Sequence, residues 1–84
     1  MSLPALQFIS RKACCLCDEA KAVLDDFVAQ GRCLLDVADV DEDVKLAAHY
    51  GMDVPVLLYD GDVKLMHRMS HGDIEKLLSG EGMC

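Results

Sequence analysis

The chain has 84 residues, 52% of them hydrophobic, which suits one small domain near the lower limit for folding on an apolar core without disulfide or metal staples. A formal net charge of −7 argues against nucleic acid or an anionic membrane as partner, because neutralising phosphates needs clustered Lys and Arg. No apolar run reaches the length of about 18 residues that a membrane span needs, and the N-terminus lacks the basic-then-apolar layout of a signal peptide, so a soluble, unprocessed, cytoplasmic protein is expected.

Residues Ala5 to Ser10 form a short apolar run of strand length, with Pro4 at its leading edge. From Cys17 to Gln30 the residues Ala20, Val23, Leu24 and Phe27 recur at helical spacing, with Asp18 and Glu19 in the first turn and Gly31 just past the end. Arg32 to Val37 is near-continuously apolar, which predicts a strand buried on both faces. Asp39 and Glu42 have the spacing of a capping box, and Val44, Ala47, Ala48 and Tyr50 give a short helical stripe closed by Gly51.

The run Val54 to Tyr59 is strand-like except for Pro55, which must occupy a strand start or an edge. Asp60-Gly61 then separates it from Val63 to His67, the signature of a type I′ hairpin. Ser70 and Asp73 bracket a helix start, Ile74, Leu77 and Leu78 form its apolar face, and 79–84 has the Gly-rich look of a frayed tail. The order βαβαββα predicts one α/β domain over residues 1–84, with a right-handed parallel crossover first and an antiparallel hairpin last. Ligands of such open sheets gather at the carboxyl ends of the parallel strands, where the cysteines fall.

Three of the five cysteines crowd into Cys14, Cys15 and Cys17. That pattern differs from the dispersed, even-numbered framework of a small secreted domain and points to catalysis or metal. A thiol at the first turn of a helix faces unpaired backbone N–H groups and the positive end of the macrodipole, which favour its thiolate, and Arg11 and Lys12 add positive charge nearby. Cys14 is therefore assigned as the nucleophile that attacks a substrate disulfide, and Cys17, one turn along, as the thiol that resolves the mixed disulfide. Residues three apart share a helix face, so Cys14 and Cys17 can close a disulfide while Cys15 and Cys17 diverge. Val54-Pro55 is best explained by a special turn with a cis peptide that turns backbone groups toward the cysteines.

Cys14-x-x-Cys17 after a first strand, Val54-Pro55 before a third, and the βαβαββα order together resemble the thioredoxin fold and, within it, the glutaredoxin-like proteins, over nearly the whole chain. Ser10 to Ala20 is similar to a small bacterial glutaredoxin-like group whose motif is C-x-L-C. The resemblance implies a four-stranded mixed sheet flanked by three helices, and a thiol–disulfide oxidoreductase that binds no cofactor and uses glutathione as a co-substrate. It implies that Arg11 lies near the glycyl carboxylate of glutathione and that Val54 and Pro55 pair with its cysteinyl part. The implied partners are a disulfide-containing protein or a glutathione mixed disulfide, and a reductant, either glutathione or a thioredoxin reductase system; a monomer is expected. Two departures stand in the sequence: Cys15-Leu16 replaces the usual Pro-Tyr between the cysteines, and Leu65 to Asp73 lacks the Gly-Gly turn that holds the γ-glutamyl end.

A second function class is a Cu(I), Zn²⁺ or iron–sulfur module using Cys14, Cys15 and Cys17, although no second C-x-x-C or His pair completes a zinc set. A third is a thioredoxin-fold interaction module without turnover. Lys12 and Cys15 are accessory candidates at the site. Cys33 reads as core, Cys84 as an exposed tail thiol, and Asp39 to Asp43 as helix caps. His49, His67 and His71 read as surface residues, His71 being the one candidate site neighbour.

Overall fold

In Ala5–Ser10, Leu6 and Phe8 point to one side of an extended segment and Ile9 to the other, and all three are buried. That two-sided burial puts the segment, β1, at the centre of the sheet in a computed structural model that describes residues 3–79. The other elements are α1 (Cys15–Ala29), β2 (Leu34–Asp39), a single 3₁₀ turn (Val40–Glu42), α2 (Val44–Tyr50), β3 (Val56–Tyr59), β4 (Asp62–Met66) and α3 (His71–Leu78). The strand order is β2-β1-β3-β4, with β1 and β2 parallel and the other neighbours antiparallel. The architecture is the mixed α/β sheet of the thioredoxin-like fold.

Two cores flank the sheet. Leu6, Phe8 and Leu57 meet Ala20, Leu24 and Phe27 of α1 and Ile74 and Leu77 of α3, while Ile9, Val56 and Leu58 meet Val40 on the other face. No residue of α2 is buried, so this second face is covered thinly. No helix among the described residues is long and apolar enough to cross a membrane.

Several local signals act as read. Gly31 at φ +73° follows α1, and the Gly31 and Arg32 amides donate to the Val28 and Phe27 carbonyls in a Schellman closure. Asp60 and Gly61 both have positive φ, as a type I′ turn requires, and Tyr59 pairs with Asp62 across it. Ser70 and Asp73 form a reciprocal capping box, and the Ser70 backbone and hydroxyl hydrogen bonds hold the Asp73 carboxyl below the usual carboxylate range.

Other elements differ from expectation. The second strand lies two residues later than predicted and is an edge, not a strand buried on both faces: Leu34 and Val37 are 54% and 48% exposed. The turn after Gly31 consumes Arg32 and Cys33 before pairing can begin at Leu34, whose N–H reaches the Pro4 carbonyl. Asp39 caps the 3₁₀ turn rather than α2; Asp43 caps α2 through the Lys45 and Leu46 amides, so no Asp39–Glu42 box forms. Gly51 is not left-handed; a Cβ there would sit 2.5 Å from the Ala47 carbonyl oxygen, which is why glycine closes this helix. The tail expected over 79–84 and Cys84 lie outside the described residues, apart from Ser79, which caps α3.

Leu24→Ala removes a fully buried side chain at the α1–sheet contact and is expected to lower the unfolding free energy by about 3 kcal/mol in a urea titration. Val37→Lys, on the exposed edge, should change it by less than about 0.5 kcal/mol; a loss as large as that of Leu24→Ala would contradict the edge position.

Candidate active site

The sheet register decides which loops meet. Ile9 pairs with Val56, Ser10 with Asp39, and Val56 with Met66. The segment leaving β1, the end of β2, the approach to β3 and the exit from β4 therefore share one end of the sheet. Cys14 and Cys17 lie in the first of these, and Val54 and Pro55 in the third, so the two sequence motifs are brought to the same end. Cys33, just before the start of β2, belongs to the opposite end, buried in the core with its thiol pKa pushed up by that burial.

The helix begins two residues earlier than its apolar stripe suggested, and Cys14 is its N-cap, with extended backbone at φ −110° and ψ 111°. The Cys17 backbone N–H donates to Cys14 Sγ at 3.2 Å, while the Asp18 N–H closes on the Cys14 carbonyl at 3.0 Å. Sulfur thus takes the place of the side-chain oxygen that usually caps a helix. A donor aimed at the sulfur, at the positive end of a 15-residue helix, favours negative charge there. Ala13 immediately before it is left-handed at φ +56°, a conformation that costs a non-glycine residue about 1 kcal/mol and that turns the chain into the cap.

The three clustered thiols sit in three different environments. Cys14 is half-buried, Cys15 exposed and Cys17 2% exposed. Burial, first, and then the hydrogen bond to the Cys14 side chain push the Cys17 thiol up to about 11, with the Cys14 and Asp18 charges adding to the shift and the Arg11 backbone N–H opposing it. Cys17 consequently holds its proton at neutral pH. Among the described residues, no three or more His, Cys, Asp or Glu side chains are arranged to hold a metal ion.

Arg11 is engaged by the protein itself: Nε and Nη2 donate to the two carboxylate oxygens of Asp41, at 3.1 and 3.2 Å, tying the cysteine loop to the 3₁₀ turn. Lys12 is exposed. The Val54–Pro55 peptide is cis, Val54 packs half-buried beside Ile9 and Val56, and the Pro55 carbonyl accepts the His67 N–H at 2.8 Å. His67, itself left-handed at φ +65°, also places Nε2 3.1 Å from Asp53 Oδ1. Beside the first turns of α1, an open groove of about 210 Å³ is lined by Leu16, Glu19, Arg68, Met69, Ser70 and Asp73 among others.

Sequence reasoning missed Asp41, His67 and Arg68. The signal for Asp41 exists only once register is known, since parallel pairing of Ser10 with Asp39 places the following residues of both strands side by side. His71, like the other histidines, is a surface residue as read; its candidate place beside the site is not taken, since it holds Asp26 at 2.8 Å and packs on Phe27. It belongs, with the Arg32–Glu75 pair, to the contact between the C-terminal half of α1 and α3.

Residues 5–79 match the glutaredoxin-like domain (DUF836). The chain belongs to that family. Among solved structures, this glutaredoxin-like chain is similar to a structural-genomics target protein from X. campestris determined by X-ray crystallography, at 27% identity and a TM-score of 0.75, with 89% of this chain and 96% of that one covered. A protein from Nitrosomonas europaea solved by NMR in solution superposes with a TM-score of 0.76 at 23% identity, covering 92% and 93% of the two chains. A mutant thioredoxin from Halobacterium salinarum does so with a TM-score of 0.68 at 24% identity, covering 95% of this chain and 75% of that one. The likeness to the last two is one of fold.

In this glutaredoxin-like protein the difference in burial between its thiols is directly measurable. With iodoacetamide at neutral pH, peptide mapping should show label on Cys14 and Cys15 while Cys17 and Cys33 stay unmodified. Labelling of Cys17 should rise only as pH climbs toward about 11, because a raised thiol pKa leaves little thiolate below it. Labelling of Cys17 as fast as Cys15 at neutral pH would contradict that environment.

Proposed function

We propose that the chain is a thiol–disulfide oxidoreductase in which Cys14 attacks and Cys17 resolves. The observation that carries the reading is the Cys17 N–H donated to Cys14 Sγ at a helix N-cap, next to a second thiol that is buried and protonated. In the first step the Cys14 thiolate attacks one sulfur of a substrate disulfide. A mixed disulfide forms, and the departing sulfur leaves as a thiolate that takes up a proton. Bonding of Cys14 removes its negative charge, and with it one of the causes that hold the Cys17 proton in place.

Cys17 then gives up its proton and attacks Cys14 Sγ. The Cys14–Cys17 disulfide forms, the second substrate thiol is released, and two electrons have passed from protein to substrate. Return to the dithiol takes two electrons from a reductant, either glutathione or a thioredoxin reductase system. The substrate in this reading is a disulfide-containing protein or a glutathione mixed disulfide in a reducing compartment such as the cytoplasm. Arg11, Val54 and Pro55 border the bound disulfide, with Lys12 and Cys15 as accessory groups on the rim.

Disulfide reduction assayed with dithiothreitol as reductant separates the roles. Cys14→Ser should fall to the uncatalysed background. Cys17→Ser, mixed with substrate after the reductant is removed, should stop with substrate covalently held on Cys14, visible as an adduct by intact mass. Cys15→Ser should still turn over and still form the Cys14–Cys17 disulfide, because Cys15 takes no part in the bond exchange. Two-electron turnover retained in Cys14→Ser would overturn the assignment.

A further inference from the structure

Two cations precede the nucleophile: Lys12, two residues away and exposed, and Arg11, three residues away, whose guanidinium is held by both oxygens of Asp41. A planar guanidinium held this way has its Nε/Nη2 edge taken and its charge partly neutralised, so a substrate carboxylate must displace Asp41 to use that edge. Meanwhile the end of the sheet that carries the cysteines is rich in acids. Asp18 and Glu19 in the first turn of α1, the acids from Asp39 to Asp43, and Asp53 beside Val54 outnumber Arg11, Lys12, Lys45 and Arg68. The Asp18 charge is felt at Cys17 itself. An anionic disulfide approaching Cys14 therefore meets net negative potential and an occupied arginine, whereas a cationic one is drawn in.

From this we infer that the site selects its disulfide by charge, with Asp41 as the specificity-determining residue: it favours disulfides flanked by Lys or Arg, in a basic polypeptide segment, over disulfides that carry carboxylates. The inference rests on the oxidoreductase reading and narrows its substrate class. Asp41 acts by withdrawing Arg11 from the approaching substrate and by adding its own charge to the rim. It does not enter the bond exchange between Cys14, Cys17 and the substrate sulfurs.

The test uses the reduced full chain and three small symmetric disulfides: cystamine, a dication; hydroxyethyl disulfide, neutral; and dithiodipropionate, a dianion. Each rate constant for exchange is divided by that of dithiothreitol with the same disulfide, which cancels the leaving-group chemistry. The expected order is cystamine over hydroxyethyl disulfide over dithiodipropionate, compressed when salt is raised to about 0.5 M. Asp41→Asn should raise the dianion rate relative to the neutral rate about five-fold, the upper end for one exposed ion pair.

Asp41→Glu should restore the wild-type ratio. Asp62→Asn, at the opposite end of the sheet, removes the same charge and should leave the ratio where it was. No charge order, or an order favouring the dianion, overturns the selection. A charge order that Asp41→Asn does not alter, or that Asp62→Asn alters equally, overturns the role of Asp41. Absence of exchange with all three by a folded protein, judged by circular dichroism, removes the oxidoreductase reading instead and takes this inference with it.

Discussion

A cysteine sulfur does the work of a helix cap. Cys14 Sγ accepts the Cys17 amide where an oxygen of Ser, Thr, Asp or Asn would ordinarily sit, and the rest of the molecule is arranged around that substitution. Because the capping atom is also the proposed nucleophile, α1 and the reactive group are positioned by one interaction. The helix in turn is anchored by Ala20, Leu24 and Phe27 against Leu6, Phe8 and Leu57, so the cap is held by the largest apolar core of the domain. The position of the sulfur thus depends on packing further along the same helix.

The sheet supplies the second half of the arrangement. Antiparallel pairing of Ile9 with Val56 carries Val54 and Pro55 to the end of the sheet at which β1 delivers the cysteine loop. The Pro55 carbonyl is bound by His67 from the exit of β4, and Asp53 by the same residue's imidazole, so the approach to β3 and the exit from β4 brace one another there. Arg11 and Asp41 link the remaining pair of loops. These exposed ion pairs contribute little to stability individually, and their effect lies in where they place charge.

What could be read from the chain divides by the range of the interaction. β1, the Asp60-Gly61 hairpin, the Ser70–Asp73 box and the Gly31 closure are encoded by residues a few positions apart, and each was legible. The start of β2 is not legible because Cys33 to Leu35 is as apolar as a buried strand, while the turn after Gly31 that delays pairing is invisible to hydropathy. Asp39 was a plausible cap with Asp43 an equally good one four residues on, and propensity cannot choose between successive acids. The partners of Arg11, His67 and His71 depend on register and on neighbouring loops. Cys14 and Cys17 were legible as a pair, but the difference between a half-buried and a buried thiol came only with tertiary packing.

The account turns on Cys14 and Cys17 being one redox couple distinct from Cys15. The most direct measurement is a redox titration of the purified chain across dithiothreitol buffers, with free thiols tagged and the oxidised peptides mapped by mass spectrometry. The account predicts a single two-electron transition that consumes two thiols and maps to a Cys14–Cys17 disulfide. A disulfide mapping to Cys15, or a transition that survives in Cys14→Ser, would contradict it.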